Sequence, residues 1–152
     1  MRLPPRIKVL EALGAIADGR IELRGDNEAV VTSSEGDRRY RVYVDVARRV
    51  AYSDDNGTIY RGYVGYPIIS LLMLKGVLPI DEQLKGALRG IPWRRLNEQY
   101  KRYEAVMELL KRELSEKGIE PSRVDKYIDL VLAELKRLGL KFAKPPASPG
   151  ER

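Results

Sequence analysis

Six basic residues between positions 85 and 102, Lys85, Arg89, Arg94, Arg95, Lys101 and Arg102, are opposed in that stretch by Glu98 alone. A local excess of positive charge attracts phosphate, and nucleic acid is the first partner such a surface suggests. The competing reading is that these side chains solvate the outer faces of helices, their aliphatic stems lying along apolar surface. A second basic group, Arg38, Arg39, Arg41, Arg48, Arg49 and Arg61, is interleaved with Tyr40, Tyr43, Tyr52, Tyr60 and Tyr63. Arginine and tyrosine on one sheet face, with Arg39 and Arg41 foremost, would offer backbone contact and ring stacking to a single strand. Tyrosine is also favoured in strands for packing alone, and strand register decides which of these rings share a face.

The chain has no Cys and no His. That removes thiolate nucleophiles, imidazole acid/base catalysis and the commonest transition-metal ligands. Asp45, Asp54 and Asp55 could in principle serve a hard divalent cation. Asp54-Asp55-Asn56-Gly57, however, has the composition of a tight turn, and the turn is the better reading. No P-loop, dinucleotide-binding glycine pattern, nucleophile elbow or zinc spacing occurs. The residues therefore point to a non-enzymatic binding protein that needs no metal or cofactor, with no small-molecule substrate implied. Nucleic acid is the partner to test first, and an interaction or assembly subunit is the alternative.

These side chains sit on a chain of 152 residues, 43% hydrophobic and 33% charged. Its length suits one domain with a core of its own, expected over residues 1–142, and its charge exceeds the usual level of about 25%. Three Asn and two Gln beside abundant Arg, Lys and Glu follow a thermophile tendency. The longest apolar stretch, residues 68–74, is far short of a bilayer span of about 20 residues, and the start of the chain has no apolar signal-peptide core. The expected location is cytoplasmic, with no membrane partner.

The expected fold is α+β. Ile7, Leu10, Leu13 and Ile16 recur at helical spacing after Pro4-Pro5 and before Gly19, giving an N-terminal helix. The run Arg6-Ile7-Lys8-Val9-Leu10-Glu11-Ala12-Leu13 resembles the first helix of winged-helix DNA-binding domains over fewer than twenty residues. That resemblance implies two further short helices next, one for recognition. Here β-type sequence begins by Arg20 instead. Residues 20–65 read as an antiparallel meander of four to five strands. Its clearest strand alternates Tyr40, Val42, Val44 and Val46 with polar residues, and an Asn56-Gly57 hairpin leads to a returning strand over 58–64.

The second half, 67–142, reads as helical. A buried helix spans 68–74, and another runs from Pro79 to about Leu88. From Trp93 the apolar positions Leu96, Tyr100, Tyr103, Met107, Leu110 and Leu114 follow at spacings of three and four, predicting one helix over 93–117. Val124, Ile128, Val131, Leu135 and Leu138 repeat the pattern after Ser122, whose hydroxyl and Asp125 suit a capping box. The two helices should form an antiparallel hairpin, one about 37 Å long and the other about 25 Å. The shorter helix leaves Trp93, Leu96 and Tyr100 uncovered. These are the interface candidates, to be covered by their own chain or, failing that, by a second copy in a homodimer. Residues 143–152 have the composition of a disordered tail.

Overall fold

The computed structural model describes residues 1–146, and the fold is α+β as the patterning indicates. Helix α1 (Ile7–Ala17) is followed by strands β1 (Ile21–Leu23), β2 (Glu28–Thr32), β3 (Arg39–Asp45) and β4 (Val50–Ser53). The four strands pair in sequence order as an antiparallel meander, with Val42 opposite both Ala29 and Ser53 and Tyr43 opposite Tyr52. Alternation sends Val31, Val42, Val44 and Ala51 to the covered face, where all four are buried. Helix α3 (Tyr66–Leu74) lies against that face. Ser70 Oγ, from α3, donates to the carbonyl of Ala12 at 3.4 Å, so α1 stacks on α3 as a further layer. Helices α4 (Glu82–Ala87), α6 (Tyr103–Glu116) and α7 (Pro121–Leu138) pack around α1. This sandwiching is why Ile7, Val9, Leu10, Ala12 and Leu13, on successive sides of one helix, are all buried. The strand that follows α1 directly takes the place of the two helices that a winged-helix domain would need.

The Asn56-Gly57 hairpin is replaced by a helix, α2 (Asn56–Arg61). Asp55 caps it: one carboxylate oxygen accepts from the Thr58 backbone N–H at 3.1 Å and the other from the Thr58 hydroxyl at 2.8 Å. A Cβ on Gly57 would run into the ring of Tyr63, so this glycine serves close packing, not a turn. The returning strand is reduced to a single bridge between Arg2 and Tyr63. The fifth strand comes from the far end of the chain. Beyond the left-handed Gly139 that ends α7, β5 (Lys141–Phe142) joins β4 in parallel, and the Ala143 N–H donates to Ala51. The tail assigned to 143–152 thus begins alongside the sheet, and residues 147–152 lie outside the described residues.

The single helix over 93–117 is two. Lys101 adopts φ of +57°, separating α5 (Trp93–Tyr100) from α6. Apolar spacing cannot register such a break when it falls between exposed positions, and Tyr100 and Tyr103 are 37% and 39% exposed. The hairpin itself is present between α6 and α7, with Leu110, Leu114, Val124, Ile128 and Val131 buried. Helix α7 starts at Pro121 after Glu120, without the Ser122 box. Asp125 instead binds Lys111 at 2.8 Å and Arg6 at 3.0 Å, tying three elements together. Likewise α4 starts later than Pro79, because Asp81 is its cap and accepts from the Leu84 N–H at 3.1 Å. Among the described residues no helix is long and apolar enough to cross a membrane.

Candidate functional site

Where β3, the start of α3, the loop after α2 and the α5–α6 junction converge on one side of α1, two adjoining hollows of about 350 Å³ and 450 Å³ form a cleft. Both are within the size range of ligand pockets. They share a wall of Lys8, Tyr40, Tyr66 and Tyr103. Tyr63 and Tyr60 complete a set of five tyrosines around the second hollow, while Trp93, Arg20, Arg94 and Lys101 line the first. Tyr40 is at the open end of the covered sheet face and meets Tyr66 edge to face, ring centres 6.3 Å apart.

At the centre is an ion pair within α1. Lys8 Nζ and Glu11 Oε2 are 3.0 Å apart, and their side chains are only 13% and 4% exposed. The other Glu11 oxygen accepts from Asn97 Nδ2 of α5 at 2.8 Å. Burial disfavours the charged form of Lys8, but the Glu11 carboxylate together with Tyr63 and Tyr103 outweighs it and holds the ammonium above the usual lysine value. The same ammonium lies 5.1 Å from the centre of the Tyr103 ring, a cation–π contact. Burial pushes the Tyr63 and Tyr66 hydroxyls up to about 12. Both are protonated at neutral pH, with Tyr103 beside the Tyr63 hydroxyl and Arg20 beside that of Tyr66.

Arg20 is held by the Thr32 carbonyl at 2.7 Å, with Asp18 at 3.7 Å from its Nε. Arg94 binds Asp37 at 2.6 Å, and this contact with the Ser33 hydroxyl lowers the exposed Asp37 carboxyl to about 2. That pair clips α5 to the β2–β3 turn. It leaves the first hollow with four cationic side chains against Glu11 and Glu98.

Of the residues singled out in the sequence, Arg94 and Lys101 thus line the cleft, and Arg95 and Arg102 are exposed next to them in the chain. Among the described residues Arg95, Lys101 and Arg102 have no ion-pair partner, whereas Lys85 pairs with Glu82 at 2.7 Å and Arg89 is exposed after α4. Arg39 and Arg41 project from the opposite sheet face and pair across strands with Glu22 and Glu28 at 3.2 and 3.4 Å. Tyr43 and Tyr52 share that outer face, while Tyr63 has left the sheet for the cleft. Trp93 is 3% exposed with its indole against Gly14 of α1, Leu96 is half-buried and Tyr100 is exposed. At Trp93 the seam is covered by its own chain, while Tyr100 stays exposed.

Lys8, Glu11, Tyr66, Asn97 and Tyr103 were not singled out by sequence reasoning. One signal for them existed: Glu11 is the lone carboxylate in the otherwise aliphatic run of α1, three residues after Lys8. No curated protein and no solved structure matches the chain. A family model covers residues 1–141, and the chain belongs to that family, described as uncharacterised conserved protein UCP014422.

Proposed function

We propose that this is a non-enzymatic binding protein that takes single-stranded nucleic acid into the tyrosine-lined cleft, with phosphates on the cations of the wall and rim. The observation that supports this reading is the concentration of five tyrosines, Lys8, Arg94 and Lys101 around one cleft, beside the exposed Arg95 and Arg102. Every base has a π face, and stacking on aromatic side chains contributes about 1–3 kcal/mol per base. Such faces are available in single strands and hidden in a duplex.

Two acids of the cleft are engaged in structural duties, which removes them as general bases, and the third, Glu98, is exposed at its edge. Glu11 has both oxygens occupied, and Asp55 is committed to capping α2. Covered by its own chain, Trp93 leaves the cations and tyrosines as the free chemistry at this end of the molecule.

Fluorescence anisotropy with a labelled single-stranded oligonucleotide at low salt tests the proposal. Arg95→Glu combined with Arg102→Glu is expected to weaken binding about tenfold or more, alike for every sequence, because phosphate contacts carry no base information. Arg94 is left in place, since reversing its charge would also break the Asp37 clip. Absence of binding by the unmodified protein at low salt would refute the reading.

A further inference from the structure

The two hollows are parts of one site, because a single wall serves both, and Lys8 is the only charged residue in that wall. An ammonium has three N–H donors. One goes to Glu11, the Tyr103 ring faces another side, and among the described residues no further acceptor meets Lys8. A nearly enclosed cation with unfilled donors, flanked by protonated tyrosine hydroxyls, suits an anion with several acceptor oxygens. Glu11 does not block such an anion, since its oxygens are taken by Lys8 and Asn97; Arg20 and Arg94 are answered by Asp18 and Asp37, and Lys101, with no ion-pair partner among the described residues, adds a free cation to the first hollow.

On either side of that cation is an aromatic-walled hollow, one of about 350 Å³ and one of about 450 Å³. A lone phosphate would use Lys8 and leave both hollows empty. A mononucleotide would fill one. An anion linking two aromatic rings uses all three features at once.

Building on the single-strand reading above, we infer that the unit bound is a dinucleotide step, its bridging phosphodiester on Lys8 at the junction and one unstacked base in each hollow. Lys8 thereby sets the position of the strand along the cleft, while Arg95 and Arg102, exposed and adjoining Arg94 and Lys101 in the chain, attract whatever extends beyond the step.

Trp93, the sole tryptophan, lines the first hollow, so its emission reports occupancy in the full chain without a label. Three probes separate the possibilities: thymidylyl-thymidine, its uncharged methylphosphonate analogue, and thymidine 5′-monophosphate. The phosphodiester is expected to bind at least tenfold more tightly than either of the others. Lys8→Met made together with Glu11→Gln, so that no buried charge is stranded, is expected to erase the difference between the phosphodiester and the methylphosphonate. Equal binding of those two by the unmodified protein, or a mononucleotide that binds as tightly as the dinucleotide, would overturn the inference without reference to any variant. If a longer single strand binds and the dinucleotide does not, the inference fails and the single-strand reading stands. If no single strand binds at low salt, both fail.

Discussion

At the scale of single residues, the cleft is built on two placements that would otherwise destabilise α1. A carboxylate as buried as that of Glu11 is costly unless charge and hydrogen bonds answer it; Lys8 and Asn97 supply both. Gly14 is the second. Glycine within a helix is unfavourable by about 1 kcal/mol relative to alanine, yet a Cβ here would lie 2.6 Å from Trp93 Nε1. Gly14→Ala is therefore expected to destabilise the protein by about 1–3 kcal/mol, through overpacking, despite the gain in helix propensity. Urea denaturation followed by tryptophan emission measures this, and a more stable variant would show that the indole does not need that space. Charge density made Arg94 and Lys101 legible in the sequence. Lys8 and Glu11 were less legible, because an i, i+3 pair of opposite charges ordinarily marks a solvated face. Here every side of the helix is covered, which only the third dimension decides.

At the scale of elements, the second hollow is shaped by α2, where the sequence predicts a hairpin. Asp55-Asn56-Gly57-Thr58 satisfies the rules for a hairpin turn and equally those for a capped helix start, and local sequence does not choose between them. The choice falls to burial. Asp55 and Thr58 are 7% and 3% exposed, and their paired groups would be unsatisfied inside a hairpin. Asp55→Ala is expected to cost about 2 kcal/mol, at the upper end for a lost cap, because the Thr58 hydroxyl also loses its acceptor. Chemical denaturation checks the figure, and a change below a few tenths of a kcal/mol would contradict the assigned role of the cap. The α5–α6 break was hidden for a different reason. Both helices continue the three-and-four spacing across a left-handed Lys101, so the periodicity records which faces are apolar and not whether the backbone is continuous. The strands from Ile21 to Ser53 were legible because alternation is a direct record of one buried face. Strand β5 was not, since two residues are too few to alternate.

At the scale of the whole molecule, fold class was legible from the order of the periodicities, and the basic character of the helical half from a net charge of +5 on residues 67–152 against +1 on 1–66. Convergence of Arg94 and Lys101 with Tyr40 and Tyr63 was not, because it depends on how α1 and α3 stack on the sheet. Two cleft groups give the fold a pH dependence on the alkaline side. Tyr63 and Tyr66 ionise near 10 in the unfolded chain and are pushed up to about 12 in the fold, chiefly by burial. Between those values the unfolded state has released protons that the folded state retains, so stability falls as pH rises. Melting temperature is expected to hold to about pH 9 and decline from pH 10 upward, less steeply in Tyr63→Phe with Tyr66→Phe. An equal decline in that variant would place the alkaline sensitivity elsewhere.

Cations and tyrosines around the Lys8 cleft are together proposed to hold a single strand. The salt dependence of oligonucleotide affinity tests this most directly. With Lys8, Arg95, Lys101 and Arg102 in contact with phosphates, log K against log salt concentration is expected to be linear with a slope of about −3 for a single strand. Stacking should keep a measurable affinity at the high-salt end, accompanied by quenching of Trp93. An affinity indifferent to salt, or none at the lowest salt, would show that phosphates are not held by these cations.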